Sequence, residues 1–193
     1  ARQFGLGDAA AVPPLQPIPD AAYYHPKLAD TVTTRAEEAL AVSGKPGQPV
    51  VGIAIHQSYV SAVDSAYVDA LIADVERLGG RALVFYTPVM VEDAFLKMAA
   101  PGGRRLIDVL VSSQIMYDAG GRKEEFQRLG VPVIQAIPYR RGDTADWRAD
   151  PQGMRLIDLP FYLVQAEIAG SMDPMIASAI NRQSGKVEAI APQ

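Results

Sequence analysis

Four short apolar runs, Val50–Ile55, Ala82–Tyr86, Leu106–Val111 and Val133–Ile137, alternate with stretches patterned as helices. This alternation constrains the chain more than any other feature. Runs of strand length without polar alternation are the mark of strands covered on both faces. After the first run, Ser65 stands as a helix cap, and Val68, Leu71, Ile72, Val75 and Leu78 recur at helical spacing. Gly79 and Gly80 then end that helix. Helices are likewise expected over Glu92–Ala100, stopped by Pro101, and over Arg122–Leu129, stopped by Gly130. Trp147 belongs to a short helix capped by Asp143, and Leu156–Ala169 reads as a longer one. Strands alternating with crossover helices predict an α/β fold, a parallel sheet flanked by helices, either flavodoxin-like or Rossmann-like.

The segment before this pattern is different. Pro13, Pro14, Pro17 and Pro19 predict an extended arm, since proline neither continues a helix nor donates to a ladder. Asp30–Val42 is compatible with one helix capped by Asp30 or Thr31, and Gly44-Lys-Pro-Gly-Gln-Pro reads as a hinge. The expected division is a Pro-rich arm with a short helix over 1–48 and the α/β domain over 49–193. The chain starts at Ala1 rather than Met, so a processed protein or an excised piece is expected.

Several functions are disfavoured at once. The first strand-to-helix turn, His56-Gln-Ser-Tyr-Val-Ser, carries neither G-x-G-x-x-G nor G-x-x-x-x-G-K-[ST], so neither NAD nor ATP is an expected ligand. A net charge of −4 without a basic run argues against a nucleic-acid partner. The longest apolar stretches are strand-sized, so no transmembrane segment is expected. The absence of cysteine excludes disulfides, thiolate metal sites and cysteine nucleophiles.

In an open parallel sheet, ligands gather at the carboxyl ends of the strands. Four loops should meet there, and they place His56, Tyr59, Gln114, Met116, Tyr139 and Arg140 as candidate ligand-binding residues. Aromatic and Met side chains suit the face of a large flat ligand, and Arg suits a rim carboxylate. Plainer readings stand beside these. His56 is a ligand, a proton carrier, or a loop histidine bonded to backbone. A two-histidine metal site would need His25 brought across the domain, and no metal ligand is assigned. Arg140 and Arg141 bind an anion or are simply solvated. Tyr23 and Tyr24 pack the amino-terminal segment or cover a ligand. Glu167, in a mainly apolar stretch, braces an arginine or serves a partner domain. Sequence spacing neither assembles nor excludes a Ser-His-Asp set, and no catalytic residue is named.

The closing segment, Asp158-Leu-Pro-Phe-Tyr-Leu-Val-Gln-Ala-Glu-Ile-Ala-Gly-Ser-Met-Asp-Pro-Met-Ile, resembles the large tetrapyrrole-binding subunit of metal chelatases, the cobaltochelatase CobN and magnesium-chelatase H group. It keeps that group's glutamate (Glu167), glycine (Gly170) and acidic-proline step (Asp173-Pro174). Ala166 and Ala169 stand where the family has a proline and an aspartate. Asp146-Trp-Arg-Ala-Asp-Pro-Gln-Gly-Met resembles the family's tryptophan turn, Val131-Pro-Val-Ile-Gln-Ala its fourth strand, and Asp64–Leu78 its first helix. Tyr23–Pro26 resembles the segment before it. Phe85-Tyr-Thr-Pro-Val-Met, Gln135-Ala-Ile-Pro-Tyr-Arg and Pro160-Phe-Tyr-Leu-Val-Gln look closer to the CobN-like branch linked to haem uptake.

The resemblance implies one amino-terminal domain of a much longer subunit. It implies a corrinoid or porphyrin as ligand, metal insertion as in cobalamin biosynthesis or metal removal from haem, and a ligase-type reaction drawing on a separate AAA+ ATPase. The family's metal-site residues are not expected in this piece, so the chain alone is not expected to be catalytically complete. A cytoplasmic location is implied for a biosynthetic chelatase and a periplasmic one for the haem-uptake branch. Two other classes compete: a non-catalytic scaffold or subunit-docking module, and a small flavodoxin-like enzyme acting on a sugar or nucleotide. The missing phosphate loop argues against the last.

Overall fold

Strand β3 (Val50–Ile55) lies at the centre of a sheet of eight strands. The computed structural model describes residues 17–181 and 183–190. Along the chain, β1 (Ala22–Tyr24), β2 (Val32–Thr33) and α1 (Ala36–Val42) precede β3. Then come α2 (Ser58–Ser61), α3 (Ala66–Arg77), β4 (Arg81–Tyr86), α4 (Ala94–Ala99) and β5 (Val109–Ser112). α5 (Ala119–Leu129), β6 (Val133–Pro138) and α6 (Thr144–Ala149) follow. A π-helical turn (Pro160–Val164) runs into α7 (Gln165–Ile168), and β7 (Met172–Ile180) and β8 (Val187–Ala189) complete the described fold.

The strand order is β2-β1-β4-β3-β5-β6-β7-β8. The inner five strands, β4-β3-β5-β6-β7, are parallel, whereas β1, β2 and β8 join antiparallel. Numbered among themselves, the inner five run 2-1-3-4-5, which decides for the flavodoxin-like order over the Rossmann one. Successive strand residues face opposite layers. Leu83 and Phe85 of β4 enter the core shared with α1, α4, α5 and α7. Ala82, Val84 and Tyr86 enter the second core, under α3 and β8. Burial of both faces explains why β3 and the Ala82–Tyr86 run of β4 are apolar throughout. Gly52 lies where β3 passes over Ile107: an added Cβ would sit 2.8 Å from Ile107 Cδ1.

Several boundaries differ from expectation, each for a local reason. The third strand begins at Val109 rather than Leu106, because Asp108 turns its carboxylate to accept the Val50 N–H at 2.8 Å. Asp30–Val42 is not one helix. Thr31 has φ 60°, and the β-branched pair Val32–Thr33 joins Tyr23 and Tyr24 as an edge strand. The short helix α2 occupies part of the expected loop, and the helix expected from Leu156 enters through a π turn at Pro160. β7 was not expected as a strand. It absorbs Pro174 through a register shift between Ile134 and Ala136 of its partner, with Asp173 at φ 46°.

A division after residue 48 cuts through this sheet, since β1 pairs with β4 and α1 packs in the first core. Tyr23 and Tyr24 are buried, their hydroxyls donating to Met98 O at 2.9 Å and Asp69 Oδ1 at 2.7 Å. Pro13 and Pro14 of the expected arm lie outside the described residues.

Candidate functional site

In the 2-1-3-4-5 order the switch point, where neighbouring crossovers diverge and open a crevice, falls between β3 and β5. The residues leaving those strands are His56 and Ser113-Gln114. They line a 210 Å³ cleft together with Tyr59, Arg140 and Tyr162. A 460 Å³ groove adjoins it, sharing Ser58, Tyr59, Pro138 and Arg140.

The floor of the cleft is rigidly bonded. Ser113 N–H donates to Ala54 O at 2.8 Å, and Gln114 Nε2 donates to Ile55 O at 2.7 Å. Gln135, from β6, donates to Gln114 O at 3.0 Å. Tyr67 from α3 shares a hydrogen bond with Ser113 Oγ at 3.1 Å. Gln114 is 1% exposed, and its Oε1 has no hydrogen-bond partner among the described residues. A buried acceptor left unbonded costs about 1–3 kcal/mol, and Tyr86, Thr87, Gln135 and Ser171 each carry a polar atom in the same state.

The wall is cationic and aromatic. Arg140 Nη2 donates to the Tyr162 hydroxyl at 2.8 Å, and its guanidinium lies 5.6 Å from that ring's centroid. Arg140 makes no ion pair among the described residues, whereas Arg141 pairs with Asp150 and Arg155 with Asp158. Burial pushes the Tyr59 phenol up, reinforced by Tyr67 and Tyr162 and opposed by Arg140. Burial likewise raises Tyr162 against the pull of Arg140. Both phenols therefore stay protonated donors at neutral pH.

His56 is exposed, and its Nδ1 accepts the Ser58 N–H at 3.2 Å and contacts Ser58 Oγ at 2.9 Å. These local bonds order the turn into α2. They also put the neutral ring's proton on Nε2, an assignment made from the hydrogen-bond network. The cleft is lined by one imidazole, two phenols, serine hydroxyls, an amide and one guanidinium.

Of the six residues expected at this edge, the structure brings His56, Tyr59, Gln114 and Arg140 together. Met116 is fully buried in the first core beneath the 160s turn, its N–H donating to Phe161 O at 3.2 Å, so it cannot cover a ligand. Tyr139 turns into the adjoining groove, with its hydroxyl on Asp150 at 2.8 Å. Ser113 and Tyr162 were missed. A signal for Tyr162 exists in its spacing to Ala166 and Ala169, an inward stripe that ends in a polar tip.

The other candidates settle into structural roles. His25 is buried, with Nε2 3.1 Å from Glu76 Oε1 and Nδ1 accepting the Lys27 N–H. Asp143 caps α6 in a capping box with Asp146, and Trp147 is half-buried. Glu167 is exposed and makes no ion pair among the described residues, contrary to a bracing role. No group of three or more His, Asp or Glu side chains among the described residues is placed to hold a metal ion. No helix among them is long and apolar enough to cross a membrane.

Fold and cleft together define a flavodoxin-like α/β module with an arginine- and tyrosine-lined notch at its switch point. The family model described as CobN/Magnesium Chelatase matches residues 1–193, and the chain belongs to that family. It is 23% identical to the chloroplastic magnesium-chelatase subunit ChlH of Oryza sativa subsp. indica, over 89% of this chain and 14% of that protein. It is 24% identical to the magnesium-chelatase H subunit of Rhodobacter capsulatus, over 86% of this chain and 14% of that one. The chain thus spans about one-seventh of the length of these curated relatives. Among solved structures, the catalytic subunit of cobaltochelatase from Mycobacterium tuberculosis shares the fold, with TM-score 0.68 at 17% identity. That match covers 97% of this chain and 15% of the other.

Proposed function

We propose that this chain acts as one α/β domain of a tetrapyrrole metal chelatase large subunit, where its strand-exit edge grips a rim carboxylate of a corrinoid or porphyrin. The observation that carries the reading is Arg140, a guanidinium without an ion-pair partner among the described residues, backed by Tyr162 in a cleft at the switch point. Family membership supplies the ligand class. A cleft of 210 Å³ lies below the roughly 300–1,000 Å³ of pockets that enclose a small molecule. It therefore fits a rim substituent, and the ring face is left to other parts of the subunit. In this reading the metal is substrate, and neither its insertion nor its removal is performed by these residues alone. AAA+ ATPase subunits drive the reaction, in the cytoplasm for a biosynthetic chelatase or the periplasm for a haem-uptake one.

The test is a titration of a propionate-bearing porphyrin followed at the Soret band. Arg140→Ala should weaken binding by about 1–3 kcal/mol, the worth of a charge-assisted bond. His56→Ala should do less, because its imidazole orders the α2 turn. Unchanged affinity in both variants would leave the domain a non-catalytic docking module. The exposed face of the 160s helix is what favours that second reading.

A further inference from the structure

The helix entered through the π turn carries two apolar stripes. Tyr162, Ala166 and Ala169 are buried against the first core or the cleft. Phe161, Val164 and Ile168, with Ile157 in the turn just before the helix, are 38%, 48%, 55% and 70% exposed. Single exposed apolar residues are ordinary, but four gathered along one short segment form a patch of the kind that packs on a partner. The row extends past the helix. Phe161 packs on Tyr117 with ring centroids 5.9 Å apart, and Tyr117 and the exposed Met90 line a 290 Å³ groove beside α5.

The groove's charge says what fits it. Its arginines are neutralised in place, Arg122 by Glu125 and Arg128 by Asp93. Glu92, Asp118 and Glu124 also line it and make no ion pair among the described residues. A second copy of this chain docked about a two-fold axis would bring these acidic groups against their own counterparts, which is repulsive. A complementary occupant presents apolar knobs flanked by Lys or Arg. The chain spans 14% of the length of its relatives, so most of such a subunit lies outside this fold and has surfaces to offer.

We infer that the Ile157–Ile168 row and the adjoining acidic groove dock a basic-flanked amphipathic helix from the remainder of a chelatase large subunit. This rests on reading the chain as one domain of such a subunit. The row is then an interdomain seam, and the edge cleft next to it, which shares Tyr162, is held in a fixed orientation toward the rest of the assembly.

Site-specific photo-crosslinking tests it. Benzoylphenylalanine is placed at Val164 in the polypeptide as the cell makes it. A control carries it at Leu78, which is 75% exposed at the end of α3, on the opposite layer. After irradiation, cross-linked peptides are identified by mass spectrometry. Val164 should join a chelatase large-subunit peptide outside residues 1–193 with basic residues flanking apolar ones, and Leu78 should not. The pair Glu92→Lys and Glu124→Lys should abolish that product, and its survival would overturn the acidic-groove half of the inference. Cross-links from Val164 into residues 1–193 of a second copy would overturn the inference in favour of a homodimer. A chelatase peptide captured from Leu78 and not from Val164 keeps the domain reading and overturns this surface. No chelatase peptide from either position overturns the surface together with the reading beneath it.

Discussion

Arg122→Met should be the most destabilising single change of charge in this fold. Arg122 and Glu125 are both nearly inaccessible, with side chains 7% and 2% exposed. The guanidinium donates to Glu125 through Nη1 and to Val89 O at 2.8 Å through Nη2, and lies 4.6 Å over the Phe95 ring. Glu125 Oε1 also accepts the Leu96 N–H at 2.8 Å, one of the unpaired donors in the first turn of α4. Methionine keeps much of the apolar volume over Phe95, so the loss is electrostatic rather than a cavity. Removing one partner of a buried ion pair costs about 3–5 kcal/mol, because the other charge is left uncompensated. For a chain of this size, each kcal/mol moves the melting temperature about 2–4 °C, giving a fall of roughly 6–20 °C. The double variant Arg122→Met with Glu125→Gln removes both charges and keeps an oxygen for Leu96. It should return to within about 1–2 kcal/mol of wild type. Urea unfolding followed by circular dichroism and Trp147 fluorescence measures both. A single variant within about 1 kcal/mol of wild type, or a double no better than the single, would refute the reasoning.

Two further stability effects follow from the packing. Gly52→Ala pushes a Cβ to 2.8 Å from Ile107 Cδ1 and should cost about 1–3 kcal/mol, with Ile107→Val recovering part of it. No recovery in the double variant would place the strain elsewhere. Burial holds the His25 pKa below its ordinary 6.5, against the raising effect of Glu76. The unfolded chain therefore takes up a proton where the native state does not. Stability from this site is complete above 6.5 and falls as pH drops from there toward the lowered native value. Comparing urea midpoints of wild type and His25→Gln across that window should show the steeper fall in wild type, and parallel curves would count against it.

Much of the fold is legible in the sequence because burial on both faces leaves a strong signal. β3 is found at its expected ends, and β4 and β6 each differ by one residue. The signal fails where an apolar residue serves packing without pairing. Leu106 and Ile107 extend the third run, yet Asp108 ends the ladder and Ile107 fills the space under Gly52. It fails also where pairing lacks an apolar run, as in β7, whose first four residues are exposed and include Asp173 and Pro174. The site divides the same way. His56, Gln114 and Arg140 follow from knowing where strands end, whereas the burial of Met116 and the turn of Tyr139 depend on loop backbones. The spacing of Tyr162 to Ala166 and Ala169 marks it as inward-facing, but its meeting with Arg140 joins segments 22 residues apart and is set by the fold.

The central claim is that Arg140 and its cleft recognise a carboxylate at a tetrapyrrole rim, and esterification tests it without altering the protein. Wild type is titrated with a dicarboxylate porphyrin and with its dimethyl ester, which keeps the ring and removes the negative charge, with Soret shifts read in each case. The account predicts that the free acid binds more tightly by about 5–150-fold, the equivalent of one charge-assisted bond, and that Arg140→Ala erases this preference. Equal affinities for acid and ester, or a preference that survives in Arg140→Ala, would contradict it.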